Sequence, residues 1–335
     1  MYKIENMRAE RVEPVTFSAI EIKESEIEEI LRRNIDMLCD DEESMIIVGQ
    51  QVKNESNGRS DLTAIDNEGN IVLIEIKRDP RDIENRKEAF EFQAVRYAAS
   101  YATIRDIESL VRKVYGPYIE KYRAEFEQMD LTSYELGLRR INEFLRANDA
   151  EKSFNKRQRI ILAASDFDEQ TLSAVAWLNS NGVDVSCYRL IPYKLDDKTY
   201  IRAERILPVA TCDQYYVNLM DRSIPGRTKT DRQMTRRVLP RIDAMLEWGI
   251  VKEGDIIGAK DRKDEGILQN SGKVKVGEEV LSLQVWLKKV YGWSSVQTYA
   301  FAVHKATGKT LSQIREEYMT EQERKESSVE EQEEA

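Results

Sequence analysis

The sequence predicts an α/β fold, in which a mixed sheet flanked by helices is followed by a small C-terminal α+β domain. Three observations lead to this prediction. Two short apolar strands flank a turn at 67–70, which is typical of a β-hairpin. A buried strand, a helix and another strand follow one another between 159 and 188. Residues 207–230 are irregular and contain proline and glycine, which indicates a boundary before a second set of elements.

The elements of the first domain can be read from apolar periodicity. Helical spacing predicts a helix over 25–38 with Ser25 as its cap, and an apolar run from Met45 to Val52 predicts the first strand. The remaining predicted elements are hairpin strands at 60–66 and 70–77, a helix from Ile83 to about Arg112, two helices at 118–129 and 133–148, a strand at 159–164, a helix at 168–180, a strand at 183–188 and an edge strand at 200–206. The two central helices form an insertion over about 115–150, whose role the sequence does not indicate.

The predicted domains follow from these elements. The first domain takes residues 1–206, a basic linker takes 207–230, and the C-terminal domain takes 231–319. Within the last, a helix is predicted from Asp231 to Trp248, short strands at 267–276 and 279–281, and a helix at 283–290. The acidic tail, 320–335, is predicted to be disordered.

The hairpin carries the candidate chemistry. Its first strand holds Asp61, and its second ends in Glu75-Ile76-Lys77. Strand side chains alternate between faces, so Glu75 and Lys77 share one face, and antiparallel pairing brings Asp61 beside Glu75. Carboxylate oxygens suit Mg²⁺ or Mn²⁺ rather than zinc. The pattern therefore predicts a divalent-metal site at Asp61 and Glu75 with Lys77 as a catalytic lysine, whereas an ordinary same-face ion pair is the structural alternative.

These motifs resemble those of the PD-(D/E)XK nuclease superfamily. Gly58-Arg59-Ser60-Asp61, Glu75-Ile76-Lys77 and Gln93-x-x-x-Tyr97 are similar to the NucS/EndoMS-type branch over about residues 20–195. The resemblance implies a restriction-endonuclease-like fold, metal binding by Asp61 and Glu75, catalysis by Lys77, and closure of the site by Gln93 and Tyr97. It does not extend to the separate N-terminal DNA-binding domain of that branch, so no mismatch specificity is carried over.

The resemblance also implies a further glutamate from an earlier helix. In this chain that residue would be Glu26, with Glu28 or Glu29 as alternatives.

The C-terminal domain has a looser resemblance. Trp-Gly-Ile-Val-x-x-Gly-Asp at 248–255, together with Gly277-Glu278, Ser282-Leu283 and Gly292-Trp293, is similar to the restriction-associated domain proposed to sense adenine methylation. The similar region spans about 235–319. A small α+β domain of another purpose is the alternative.

The distribution of charge along the chain bears on whether this protein binds nucleic acid. The net charge of −10 argues against nucleic acid, but residues 222–241 are strongly basic, and a local positive patch matters more for phosphate contact than the global sum. The candidate DNA-binding residues are Arg59, Arg227, Lys229, Arg232, Arg236 and Arg237. A solvated linker and helix face is the alternative reading of this basic run.

Composition also indicates a compartment. No charged and then apolar leader opens the sequence, the longest apolar runs are too short to span a bilayer, and the three cysteines form neither a zinc pattern nor a disulfide framework. A cytoplasmic protein without a membrane partner is expected. A single histidine, His304, makes a Ser-His-Asp triad improbable.

The leading hypothesis is therefore a Mg²⁺- or Mn²⁺-dependent DNA endonuclease acting in DNA repair or defence. Many nucleases of this type cut both strands as dimers, so a homodimer is expected. The alternatives are a catalytically silent nucleic-acid-binding protein that keeps the nuclease fold, and a protein whose acidic surface meets other proteins.

Overall fold

The computed structural model describes residues 1–39, 41–53, 58–79, 89–126, 130–208 and 239–333. These divide into two units. The first comprises Met1–Leu38 and Ile46–Arg237, and the second comprises Cys39–Met45 and Val238–Ala335. The short segment Cys39–Met45 belongs to the second unit, which the predicted division at 206/231 did not anticipate. None of the helices in the described ranges combines the length and apolarity that crossing a membrane requires.

The first unit is built on a six-stranded mixed sheet flanked by helices, as predicted. Its strand order is β3-β4-β5-β6-β7-β8. The strands are β3 Met45–Lys53, β4 Arg59–Asp66, β5 Ile71–Lys77, β6 Gln158–Ala164, β7 Asp184–Leu195 and β8 Lys198–Leu207. The β4–β5 and β7–β8 pairs are antiparallel, whereas β5–β6 and β6–β7 are parallel. A separate two-stranded hairpin, β1 Tyr2–Glu5 and β2 Arg8–Arg11, precedes the sheet in the chain.

The helices of this unit are shorter than predicted in three places. They are α1 Glu24–Arg33, α2 Phe90–Tyr101, α3 Ile107–Leu110, α4 Gly116–Lys121, α5 Ser133–Ala147 and α6 Glu169–Ser180. A 3₁₀ turn at Ile35–Met37 follows α1, and a π-helical turn at Val111–Tyr115 joins α3 to α4.

The predicted continuous helix up to Arg112 is wrong, and its predicted start at Ile83 lies outside the described residues. The helix ends at Tyr101, and Asp106 begins α3 by accepting the Ser109 N–H at 2.7 Å. The predicted helix at 118–129 likewise stops at Lys121, because the backbone of Tyr122 leaves the helical region at φ −112°. The helix at 133–148 is confirmed as α5, with Thr132 and Glu135 forming a capping box.

A buried charge cluster lies where β6 and β7 begin. Arg159 is 2% exposed, and its Nε lies 3.7 Å from Asp184 Oδ2. Burial raises the pKa of Asp184 to about 6, although the Arg159 charge acts in the opposite direction and Asp66 adds to the increase.

The second unit contains a six-stranded antiparallel sheet with order β12-β11-β10-β9-β13-β14. Its strands are β9 Ile256–Ala259, β10 Glu265–Leu268, β11 Lys273–Val276, β12 Glu279–Ser282, β13 Ala302–His304 and β14 Lys309–Thr310. Its helices are α7 Ile242–Glu247, α8 Leu283–Tyr291, α9 Thr298–Phe301 and α10 Leu311–Glu333. The predicted helix at 283–290 is confirmed, and Ser282 caps it by accepting the Val285 N–H.

The helix predicted from Asp231 to Trp248 is wrong in the described residues, and its predicted start lies outside them. The helix begins at Ile242, and residues 239–241, which include Pro240, are not helical. Helix α10 extends to Glu333, into the segment 320–335 that the sequence predicts to be disordered. Glutamate, glutamine, lysine and arginine are good helix formers, and no glycine or proline interrupts the run from Leu311 to Glu333.

The segment Cys39–Met45 is integrated into the second unit by specific bonds. Met45 and Ser295 exchange backbone hydrogen bonds, at 3.1 Å from the Met45 N–H and 2.9 Å from the Ser295 N–H. The Gln297 N–H donates to Ser44 Oγ at 2.8 Å. The fully buried Arg315 guanidinium bonds Glu42 Oε1 at 2.8 Å and also lies over the ring of Tyr299. These contacts join residues far apart in the sequence, so no local pattern predicted them.

Candidate functional site

Two buried carboxylates lie on neighbouring strands at one end of the β4–β5 hairpin. Leu62 pairs with Ile74 in antiparallel register, and Asp61 and Glu75 are the next residue of each strand beyond that pair. Asp61 Oδ2 also accepts a hydrogen bond from the Ile76 N–H at 2.7 Å. Both acids are buried, with 8% of Asp61 and 0% of Glu75 exposed. The hairpin therefore carries at one end both acids that the sequence singles out.

The ammonium of Lys77 belongs to the same cluster. Lys77 Nζ lies 3.0 Å from Glu24 Oε1, and the other Glu24 oxygen accepts the Arg78 N–H at 3.4 Å. Burial raises the pKa of Asp61, and the Lys77 charge is the largest influence that opposes this increase. Lys77 therefore acts electrostatically on Asp61 while Glu24 holds its ammonium.

A third buried carboxylate reaches the cluster through a glutamine. Gln51 Nε2 donates to Glu28 Oε2 at 2.6 Å and to Asp61 Oδ1 at 3.2 Å. Glu28 is 4% exposed, and burial raises its pKa while the bond from Gln51 lowers it. Gln51 has a left-handed backbone, with φ 52°, inside strand β3. Such conformations are strained for residues other than glycine and are common at functional sites.

The structure corrects the choice of glutamate on α1. Glu26 is exposed, and its Oε2 accepts the Lys23 N–H at 2.8 Å, so it caps the start of the helix and does not face Asp61. Ser25, the predicted cap, is not the capping residue. The alternative Glu29 bonds Arg32, which lowers the pKa of Glu29 to about 2. Of the three glutamates considered, Glu28 is the one joined to the site.

The predicted Gln93 and Tyr97 lie together on α2, at the start of β4. Gln93 Nε2 donates to the Tyr97 hydroxyl at 3.2 Å, and that hydroxyl also accepts the Arg59 N–H at 3.2 Å. Tyr97 is 6% exposed. Its ring lies directly against Gly58, where an added Cβ would be 2.8 Å from the tyrosine oxygen. Gly58 thus leaves the space that lets α2 contact the strand bearing Asp61.

Sequence reasoning missed three residues of this cluster: Glu24, Gln51 and Tyr101. Tyr101 lies one helical turn after Tyr97, and its hydroxyl bonds Ser60 Oγ at 2.9 Å and Thr63 Oγ1 at 2.7 Å. Burial raises its pKa, and the negative charge of Glu75 adds to that increase. The four-residue spacings from Glu24 to Glu28 and from Tyr97 to Tyr101 were the available sequence signals, because such pairs share a helix face.

The donor set is compatible with a hard divalent cation. In the described ranges, no three or more His, Cys, Asp or Glu side chains are arranged to hold a metal ion by themselves. Mg²⁺ commonly takes only one or two protein carboxylates and completes its coordination with water and substrate phosphate. Asp61 and Glu75 supply such a pair, and a cation beside them would offset the desolvation that raises the pKa of Asp61.

The proposed DNA-contacting residues fall into two groups. Arg59 is exposed on β4, two positions before Asp61. Arg227, Lys229, Arg232, Arg236 and Arg237 lie outside the described residues.

Comparisons of the chain with protein-family models, with curated proteins and with solved structures gave no match. The motif resemblance and the geometry of the cluster therefore carry the functional argument.

Proposed function

We propose that this protein is a Mg²⁺- or Mn²⁺-dependent DNA endonuclease with a restriction-endonuclease-like fold. One observation carries the proposal. The buried Asp61 carboxylate bonds the backbone of β5 between Glu75 and Lys77, and its pKa responds to the Lys77 charge. A packing role alone gives no reason for two buried acids and a lysine at this end of the hairpin, because burying carboxylates is unfavourable.

The residues have distinct roles in the proposal. Asp61 and Glu75 would hold the cation, and a cation bound there would acidify a water molecule and stabilise charge on a phosphate oxygen. Lys77, whose ammonium lies 3.0 Å from Glu24 Oε1, would donate hydrogen bonds to the attacking water or to the phosphate. Water adds to phosphorus as the bond to the leaving ester oxygen breaks, and that oxygen takes up a proton. Exposed Arg59 contacts the DNA backbone beside the site.

The direct test incubates the purified full chain with plasmid, linear and single-stranded DNA and with Mg²⁺ or Mn²⁺. Asp61→Asn, Glu75→Gln and Lys77→Met are each expected to lower cleavage by about 100-fold or more, since each removes one charge from the reacting centre. Matched controls are Asp197→Asn and Lys198→Ala, both exposed where β7 and β8 meet. Cleavage that persists in all three site variants, or DNA of every form left intact by the wild type, would reject the proposal.

A second candidate is a nucleic-acid-binding protein that retains this fold without turnover. The observation in its favour is the ion pair between Lys77 and Glu24, which already engages the ammonium that catalysis needs. It predicts DNA binding that weakens with salt, but no cleavage under any metal condition. Binding isotherms at several salt concentrations, run beside the cleavage assay, separate the two.

A further inference from the structure

The course of β4 around Asp61 is irregular. In a regular strand, side chains three positions apart point to opposite faces of the sheet. Ser60 and Thr63 are three apart, yet both bond the same hydroxyl, that of Tyr101, at 2.9 and 2.7 Å. The strand must therefore twist or bulge between them, and Asp61 lies within the distorted stretch.

Helix α2 holds this distortion from three points. The Tyr97 hydroxyl accepts the Arg59 N–H, and the Tyr101 hydroxyl engages Ser60 and Thr63. One phenol can donate to one of these hydroxyls and accept from the other, so both Tyr101 bonds can form together. Tyr101 is 7% exposed, and Ser60 and Thr63 are 2% and 0% exposed, so water has little access to replace these bonds.

The Asp61 carboxylate, within this stretch, turns toward the neighbouring strand. Its Oδ2 bonds the Ile76 N–H, which places a side-chain oxygen against the backbone of the neighbouring strand. This bond turns the carboxylate toward β5, the strand that carries Glu75. The positions that α2 holds, 59, 60 and 63, lie on both sides of Asp61.

We propose that Tyr101 is a positioning residue for Asp61: its hydroxyl maintains the β4 distortion that aims the Asp61 carboxylate beside Glu75. The catalytic consequence rests on the proposed nuclease function, but the geometric claim does not. The competing reading is that Tyr101 only packs α2 onto the sheet. In that case its aromatic ring matters and its hydroxyl does not.

The test removes the hydroxyl and retains the ring, with Tyr101→Phe in the full chain. Hydrogen exchange of the Ile76 amide, followed by NMR, reports whether Asp61 still accepts that bond. We expect exchange at Ile76 to accelerate by about tenfold or more, with the amides of β6 unchanged. Tyr299→Phe is the matched control, because it removes a buried hydroxyl that bonds a backbone amide in the second unit. It should leave Ile76 exchange unaltered.

A kinetic readout separates positioning from packing. In cleavage assays at saturating metal, Tyr101→Phe should lower kcat by about 10- to 100-fold while KM for DNA changes little, because a misplaced carboxylate impairs the reacting centre more than substrate binding. If Tyr101→Phe does not fold, the paired change Ser60→Ala with Thr63→Val removes the same two bonds from the strand side and carries the same expectations.

The outcomes are distinct. Unchanged Ile76 exchange in the folded variants overturns the positioning claim, whatever the cleavage result. Accelerated Ile76 exchange in a protein whose wild type cleaves no DNA supports the positioning claim and rejects the nuclease function. Accelerated exchange with wild-type kcat retains the geometric claim and overturns its catalytic consequence.

Discussion

Gly58→Ala tests the contact that brings α2 against the metal-site strand. A Cβ at this position would lie 2.8 Å from the Tyr97 oxygen and 3.0 Å from Cζ, whereas ordinary contacts of a Cβ begin at 3.4 Å. The Tyr97 ring must therefore retreat by roughly half an ångström or more in a packed interior. That movement lengthens the bond from the Arg59 N–H, which is already 3.2 Å.

The expected magnitude follows from these two effects. Overpacking costs about 1–3 kcal/mol and the weakened hydrogen bond about 1 kcal/mol, so Gly58→Ala should destabilise the first unit by about 2–4 kcal/mol. The three atoms nearest to the added Cβ all belong to Tyr97. In a Tyr97→Ala background, the same substitution should therefore change the free energy of unfolding by less than about 0.5 kcal/mol.

A double-mutant cycle with native-state hydrogen exchange of the β4 and β5 amides measures this coupling in the first unit alone. The expected coupling energy is about 2–3 kcal/mol. Additive effects of Gly58→Ala and Tyr97→Ala would refute the reasoning, since they would show that the glycine is not needed to accommodate the tyrosine ring. DNA cleavage by the Gly58→Ala variant should decrease together with the protection of the β4 amides against hydrogen exchange.

Three further predictions concern charge. The pKa of Asp184 is about 6 in the folded protein and 3.8 in the unfolded chain, so the folded state binds the proton more tightly. The free energy of unfolding should therefore fall by about 3 kcal/mol as the pH rises from about 4 to about 6. Urea titrations of Asp184→Asn at several pH values should not show this decrease. A dependence of the unfolding free energy on pH parallel to that of the wild type would contradict the assignment. Arg315→Met should destabilise the second unit by about 2–4 kcal/mol in thermal melts, and Glu42→Gln by less, since Glu42 is partly exposed. Gln51→Gly should raise the pKa of Glu28, because the hydrogen bond from the Gln51 side chain lowers that pKa in the wild type. An NMR titration of the Glu28 carboxyl carbon that shows a lower or unchanged pKa would contradict this prediction.

Local pattern was sufficient for the strands and for the central pair of acids. The apolar runs of β4 and β5 and the turn between them specify a hairpin and its register, which places Asp61 and Glu75 at the same end of the hairpin. The same local reasoning missed the break after Tyr101, although Asp106 three positions before Ser109 is an ordinary capping signal.

The α1 glutamate shows where such reasoning could have gone further. Glu24 and Glu28 are four residues apart and share a face, whereas Glu26, two residues from each, points away from both. Ile27 and Leu31 are buried, and Glu28 lies beside them on that face. The position of Gln51 could not be predicted, because it depends on a left-handed backbone inside β3 and on partners from two other elements.

The segment Cys39–Met45 makes the second unit discontinuous along the chain, which has consequences for how this protein can be divided or recombined. A fragment beginning at Val238 would lack the Met45 carbonyl that accepts from Ser294 and Ser295, and the carboxylate that meets Arg315. Such a unit cannot be moved between proteins as a single cassette. During synthesis, residues 39–45 emerge long before their partners, so the second unit can be completed only when the C-terminal part of the chain has followed. Recombination that separates these two stretches should therefore be poorly tolerated.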